Sequence, residues 1–284
     1  VYQLIDFGAG RKLESLSGYT IERPSPAAEN VRRLQPRRWD NVDSVYDSSR
    51  KQWIHRSPWQ EGLNIDCGDF RMPVRPTPFG HIGVFPEQSG NWRWLSLKPV
   101  SWKGPERPLA LNLFAYTGAS TIALSSARYD VVHVDAAKPN VAAAKEAARF
   151  NGLQAAPIRY LVDDARALVA REVRRQRQYH TLVLDPPAYG HTPKGKTWRL
   201  ERDLWPLIDN CLHLIDPACF RLLVTGHSPQ VAERDVIDHL RKSDRLRSVF
   251  RRDALVTTAE RSTLSDSAGR HLDAGFYVRV ETGD

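Results

Sequence analysis

"LALNLFAYTGASTIALSSARYDVVHVDAAKPNVAAAKEAARF", residues 109–150, changes character three times. Its two continuous apolar runs, LALNLF (109–114) and VVHVD (131–135), are too short for helices and lack polar alternation, so they predict strands covered on both faces. GASTIALSSAR (118–128) and KPNVAAAKEAARFN (138–151) predict helices, the second Ala-rich with Pro139 in its first turn, where a missing N–H costs nothing. The same alternation continues outward. IRYLVDD (158–164), HTLVLD (180–185) and CFRLLVTG (219–226) predict three more strands. ARALVAREVRRQ (165–176) and ERDLWPLIDNCLHLI (201–215) predict the helices between them. PQVAERDVIDHLRKS (229–243) predicts the last helix, with SVFRRDALV (248–256) and AGFYVRV (274–280) closing the sheet. Strands alternating with helices specify an α/β fold, a doubly wound and mostly parallel sheet.

Composition shifts near residue 108. Before it Trp, Pro and Arg are dense, as in RPSPAAENVRRLQPRRW (23–39), KQWIHRSPWQ (51–60) and RMPVRPTPFG (71–80), and WLSLKPVSW (94–102) suggests strands between proline turns. This predicts a small β-rich module over 1–80 and the α/β domain over 81–284. RRLQPRRW (32–39) suits phosphate contacts with base stacking, or a solvated basic face with its tryptophan packed inward.

The 284 residues carry 41 Lys and Arg against 33 Asp and Glu, a formal net charge of +8, which favours a polyanionic partner such as RNA. Cys67, Cys211 and Cys219 form no Cys-x-x-Cys pair, so neither a disulfide framework nor a zinc ribbon is expected. No metal site is expected. With no signal-peptide pattern and no apolar run of membrane-spanning length, a cytoplasmic location is expected.

In a doubly wound sheet, ligands bind beyond the carboxyl ends of the strands. NLFAYTGAS (112–120) brings one glycine, Gly118, to a helix entrance. The Gly-x-Gly-x-x-Gly pattern of dinucleotide sites is absent, but a helix N-terminus suits a smaller anion such as a carboxylate. Asp135 ends the second strand, where an acid can accept from ribose hydroxyls or cap the next helix. Asp163 and Asp164 end the third, where a carboxylate can accept from an adenine amino group or cap a helix. A ligand with carboxylate, ribose and adenine fits S-adenosylmethionine. LDPPAYG (184–190) halts the fourth strand at two prolines. Asp185 and the Pro186 carbonyl are placed to accept from an amino group awaiting a methyl, with Tyr189 placed to stack on a base. Lys194, Lys196 and Arg199, in KGKTWR (194–199), predict a basic flap beside that turn.

The ordered set LNLFAYTGAS, VVHVDAAKPNVAAAKEAARFNGL, LVDDARALV and LDPPAYG resembles class I S-adenosylmethionine-dependent methyltransferases. Within them it is similar to the bacterial 23S rRNA methyltransferases that modify cytosine at C5. HIGVFPEQSGNW (81–92) resembles the segment upstream in that branch, and the likeness spans roughly residues 80–230. It implies a Rossmann-like sheet with an antiparallel last strand and S-adenosylmethionine as cofactor. It also implies Phe85 and Gln88 as cofactor contacts, and Asn112, Phe114, Tyr116, Thr117 and Gly118 as a floor under the methionine part. By the same resemblance Asp135 takes the ribose, Asp164 with Asp163 the adenine, and Asp185, Pro186 and Tyr189 the reaction centre. The branch carries a cysteine nucleophile after the fifth strand; here VTGHSPQ (224–230) has none. The expectation is therefore methylation of RNA, rRNA first, at a base nitrogen or another atom other than C5. A protein or small-molecule acceptor, or a non-catalytic RNA-binding assembly factor, stays open, as does oligomeric state.

Overall fold

The computed structural model describes residues 1–97, 102–191, 195, 197–249 and 255–283. Two compact units emerge: 1–90 together with 262–274, and 91–261 together with 275–284.

In the first unit, β1 (Tyr2–Gly8), β2 (Arg11–Leu16), β3 (Tyr19–Pro24), β4 (Ser44–Asp47) and β5 (Gln52–His55) form a five-stranded sheet in chain order, antiparallel except for the β3–β4 pair. A second hairpin joins β6 (Asn64–Asp66) and β7 (Arg71–Pro73). The RRLQPRRW segment resolves toward packing. Trp39 is buried, its indole N–H donates to Asp6 at 2.8 Å, and Arg33 lies 3.6 Å over its ring, so the ring is not available for base stacking. This unit has as many acidic as basic side chains, so the net charge of +8 resides entirely in the second unit.

The second unit begins within α1 (Ser89–Leu95) and contains the predicted alternation. β8 (Leu109–Leu113), α2 (Ala119–Ser126), β9 (Asp130–Asp135), α3 (Lys138–Phe150), β10 (Ile158–Val162), α4 (Ala165–Arg174) and β11 (Thr181–Leu184) follow one another. A short hairpin, β12 (Tyr189–His191) and β13 (Thr197–Arg199), precedes α5 (Leu200–Leu212), β14 (Arg221–Gly226), α6 (Glu233–Lys242) and α7 (Asp244–Val249). The hairpin of β15 (Leu255–Ser265) and β16 (His271–Thr282) ends the fold. The seven-stranded sheet has the order β10-β9-β8-β11-β14-β16-β15, with β8 to β14 parallel and β16 antiparallel to β14. The chain winds outward from β8 in one direction and from β11 in the other, so the switch point lies between these two strands.

Leu111, Leu113, Val132, Val134, Leu182 and Leu184 pack with Leu168 of α4 and Leu204, Leu207 and Ile208 of α5 in one buried cluster. Each such side chain contributes roughly 1.5–3 kcal/mol. Both faces of the sheet are covered, so its strands read as unbroken apolar runs.

Three expectations at the edges of this frame fail. Trp94 and Leu95 of WLSLKPVSW end α1 rather than starting a strand, and its residues 98–101 lie outside the described residues. PQVAERDVIDHLRKS is not the last helix: α7 follows, begun by Ser243, whose hydroxyl accepts the Leu246 N–H at 3.3 Å. Ser248 and Val249 of SVFRRDALV belong to α7, residues 250–254 lie outside the described residues, and the strand runs from Leu255 to Ser265. No helix among the described residues is long and apolar enough to cross a membrane.

Candidate active site

The loop after β8 is shaped by unusual backbone. Phe114 and Tyr116 have φ of 55° and 48°, and Gly118 has φ of 93°. A side-chain-bearing residue in this region costs about 1–2 kcal/mol, so neighbours must hold the conformation. They do: Ala115 N–H donates to the Val134 carbonyl at 2.9 Å, and Tyr116 N–H to Asp135 Oδ2 at 2.8 Å. Gly118 caps α2 in the left-handed conformation, and a Cβ there would stand 2.9 Å from the Ala144 Cβ of α3. Glycine thus serves both the turn and the close helix approach. Thr117 is half-buried between Tyr116 and this glycine.

Asn112 does not reach the loop surface. It is enclosed between β8 and α2, and its amide donates to Thr121 Oγ1 at 2.9 Å. Thr121 Oγ1 also lies 2.8 Å from His133 Nδ1. Burial holds His133 neutral, its pKa lowered to about 3.

Asp135, at the end of β9, is half-buried. Its Oδ2 accepts from Tyr116, and its Oδ1 accepts from Ala137 N–H at 2.9 Å and Asn140 Nδ2 at 3.0 Å. Burial raises its pKa, against the three donors, which lower it. A carboxylate has about four acceptor positions, so these three bonds leave one, on Oδ2, for a ribose hydroxyl. The donor set therefore fits a nucleoside sugar in part: a second hydroxyl would displace one of the present donors.

Asp164 is the N-cap of α4, accepting Arg166 N–H at 2.9 Å, and its Oδ2 pairs with the Arg166 guanidinium at 3.2 Å. Arg166 also meets Asp203 Oδ1 at 3.0 Å. Asp163 accepts Asp164 N–H at 2.9 Å and pairs with Arg171. The capping role open to Asp164 in the sequence is thus realised. Phe85 and Gln88 belong to the first unit. There Gln88 is buried in a single helical turn, Pro86–Gln88, and Phe85 packs edge-on to His81 at 5.3 Å.

β11 stops at Leu184, and Asp185 begins the proline turn. Asp185 accepts a hydrogen bond from the hydroxyl of Thr225 near the end of β14. Pro186 is buried and Pro187 exposed. The Pro187 carbonyl accepts the Trp198 indole N–H at 2.7 Å, and the Ala188 carbonyl accepts Leu200 N–H at 3.0 Å. Tyr189 starts β12, is 55% exposed, and sits edge-on to His191 at 5.2 Å. Its register partner across the hairpin is Arg199, also exposed. Lys194 and Lys196 lie outside the described residues.

Thr225 and Trp198 are the residues that sequence reasoning missed. Thr225 had a signal, a hydroxyl at the carboxyl end of the fifth strand, next in order to Asp185 in the sheet. Trp198 had none, because its place depends on a hairpin with no Asn-Gly or Asp-Gly turn to announce it.

No protein-family model matches the chain. The crystal structure of the SAM-dependent methyltransferase from Agrobacterium tumefaciens is 30% identical and superimposes with a TM-score of 0.88, covering 99% of this chain and 90% of that one. SMU.776, assigned as a methyltransferase and solved in complex with SAH, shares the fold at 15% identity, with a TM-score of 0.71 over 99% of this chain and 75% of its own. Among curated proteins, the ribosomal RNA large subunit methyltransferase K/L of Vibrio cholerae is 31% identical over 109 residues. That match takes in 38% of this chain and only 15% of the relative's length.

Proposed function

The chain belongs to the S-adenosylmethionine-dependent methyltransferases, and from that premise we propose that it methylates RNA, ribosomal RNA first, at a base nitrogen or another atom other than cytosine C5. Bound S-adenosylmethionine supplies an electrophilic methyl group. In this reading the chain's own residues divide the remaining work. The loop 114–118 and the start of α2 receive the amino-acid end, whose carboxylate suits a helix N-terminus. Asp135 accepts from the ribose, and the Asp163–Asp164 pair borders the adenine.

The observation that carries the acceptor assignment is the chemistry of the turn after β11. Two consecutive prolines provide carbonyls and no N–H, Asp185 adds a carboxylate, and Thr225 and Trp198 hold the two ends. Such a turn complements a group that donates hydrogen bonds, as an exocyclic amino group does, and leaves the nitrogen lone pair for the methyl. Methyl transfer to nitrogen needs no cysteine. The strand end where one would act holds Thr225, Gly226 and His227, while Cys211 is buried on α5 and Cys219 precedes β14 at its opposite end.

RNA is favoured by the net positive charge of the second unit and by the exposed Tyr189–Arg199 pair, which offers a stacking ring beside a phosphate-binding cation. The likeness to a ribosomal RNA methyltransferase over 109 residues points the same way. A cytoplasmic location goes with that substrate.

The test is transfer of labelled methyl from S-adenosylmethionine into total RNA from a strain lacking this gene, beside protein and small-molecule fractions. Label in RNA, located by nucleoside mass spectrometry on an N-methylated base, is expected. 5-Methylcytidine would overturn the atom assigned, and label confined to protein or small molecules would overturn the RNA reading. RNA binding without turnover in any fraction, assembled subunits included, would favour an assembly factor.

A further inference from the structure

We propose that Trp198 is a positioning residue that locks the cofactor-side loops and the acceptor turn into one geometry. The inference rests on the methyltransferase reading and adds to it a residue that acts through Pro187 and Phe114. Trp198 is the middle residue of β13 and is 3% exposed. By strand alternation it points away from the face that carries Tyr189 and Arg199, inward beneath the hairpin.

Three strand ends meet on this indole. Its N–H donates to the Pro187 carbonyl, 2.7 Å away, in the turn after β11. Its ring lies 4.8 Å from the ring of Phe114, the residue after β8 that is held at φ 55°. The Arg166 guanidinium stands 5.8 Å over it, and Arg166 in turn holds the Asp164 carboxylate after β10 at 3.2 Å. β8 and β11 are the neighbours flanking the switch point, so the indole spans the crevice where cofactor and acceptor must align.

The physical need for such a residue is specific. Pro186 and Pro187 have no N–H and cannot be tied to the sheet by backbone donation. Beyond the Asp185 N–H, which reaches the Leu113 carbonyl at 3.5 Å, the prolines leave the turn to be fixed through side chains and carbonyls, and the Trp198 N–H takes one of those carbonyls. On the other side, Phe114 in the left-handed region persists only if its surroundings over-determine it, and the aromatic contact is part of that surrounding. The two functions of the indole are separable. Its N–H acts on the acceptor turn, and its ring acts on the cofactor loop.

That separation supplies the test. Trp198→Phe keeps a ring against Phe114 and removes the donor; Trp198→Leu removes both. Binding of S-adenosylhomocysteine by calorimetry and turnover at saturating S-adenosylmethionine are measured for each, normalised to the fraction that binds and beside thermal melts. Trp198→Phe is expected to bind within about twofold of the parent while kcat falls roughly 10- to 100-fold, the scale of a misplacement near 1 Å. Trp198→Leu is expected to lose kcat and also to bind S-adenosylhomocysteine roughly tenfold more weakly. A Trp198→Phe protein with parental kcat, or a Trp198→Leu protein with parental affinity, would overturn the proposal, as would variants that lose only melting temperature. If the parent transfers no methyl to any acceptor, the methyltransferase reading fails, and the S-adenosylhomocysteine affinities alone then decide whether the indole controls the loop.

Discussion

The hydroxyl of Thr225 donates to Oδ1 of Asp185, joining the ends of two neighbouring parallel strands whose residues are 40 positions apart in the chain. A carboxylate at the mouth of a crevice has two nearly equivalent oxygens. This bond gives them different roles and fixes the plane of the group.

Thr225→Val preserves shape and removes the donor. It should lower kcat about tenfold while leaving the affinity for S-adenosylhomocysteine unchanged, and it should cost about 1 kcal/mol of stability. Thr225→Ser, which restores a hydroxyl, should recover most of the rate. Steady-state kinetics with a calorimetric titration read both effects.

Asp185→Ala removes the carboxylate itself. Turnover should fall by more than about 100-fold with cofactor binding retained, since the role proposed for the residue is on the acceptor side. Parental turnover would remove Asp185 from the reaction centre.

Asp135→Ala should act the other way. It removes the acceptor proposed for the ribose and the partner of the Tyr116 N–H, which sits in the left-handed region. Affinity for S-adenosylhomocysteine should weaken by about 10- to 100-fold, the scale of losing a charged hydrogen bond.

Gly118→Ala places a methyl group 2.9 Å from the Ala144 Cβ and forces alanine to φ 93°. A loss of at least about 1–2 kcal/mol in denaturant unfolding is expected. Adding Ala144→Gly should recover only part of it, because the second change relieves the contact and leaves the backbone strain.

His133 gives an acid-sensitive contribution. Its folded pKa of about 3 lies below the usual value of 6.5, so the unfolded chain binds the extra proton throughout the interval between them. Its contribution is therefore complete above pH 6.5 and is lost as pH falls toward 3, at about 1.4 kcal/mol per unit well below 6.5. Thr121 lies against Nδ1 and the Tyr160 ring at 5.3 Å, neither anionic at these pH values, and burial is the cause of the lowered pKa. His133→Phe should flatten the acid limb of the stability profile between pH 6 and pH 4, roughly.

Strand and helix alternation in the second unit was legible in the sequence because it is local. A parallel strand buried on both faces is a short apolar run wherever it lies, and a helix entrance is marked by Gly118 or Pro139 within a few residues. The same locality makes the places of Gly118, Asp135, Asp164 and Asp185 at strand ends readable from the residues alone. It misreads WLSLKPVSW and SVFRRDALV, where short apolar pieces suit a last helical turn as well as a strand.

Everything that depends on which strands become neighbours was left to the tertiary structure. Sheet order brings Thr225 to Asp185, and a hairpin too short to announce itself turns Trp198 under the proline turn. Cross-strand register lines up Asn112 with His133, so that Thr121 can bond both. The tip of the terminal hairpin, 262–274, joins the first unit through Arg270, which pairs with Asp6. The sequence by itself determined the elements and the residue types at their ends, because burial and backbone preference act over one or two turns of chain. The tertiary structure decided which of those residues touch, because contacts across tens to hundreds of positions are set by packing, which no local pattern records.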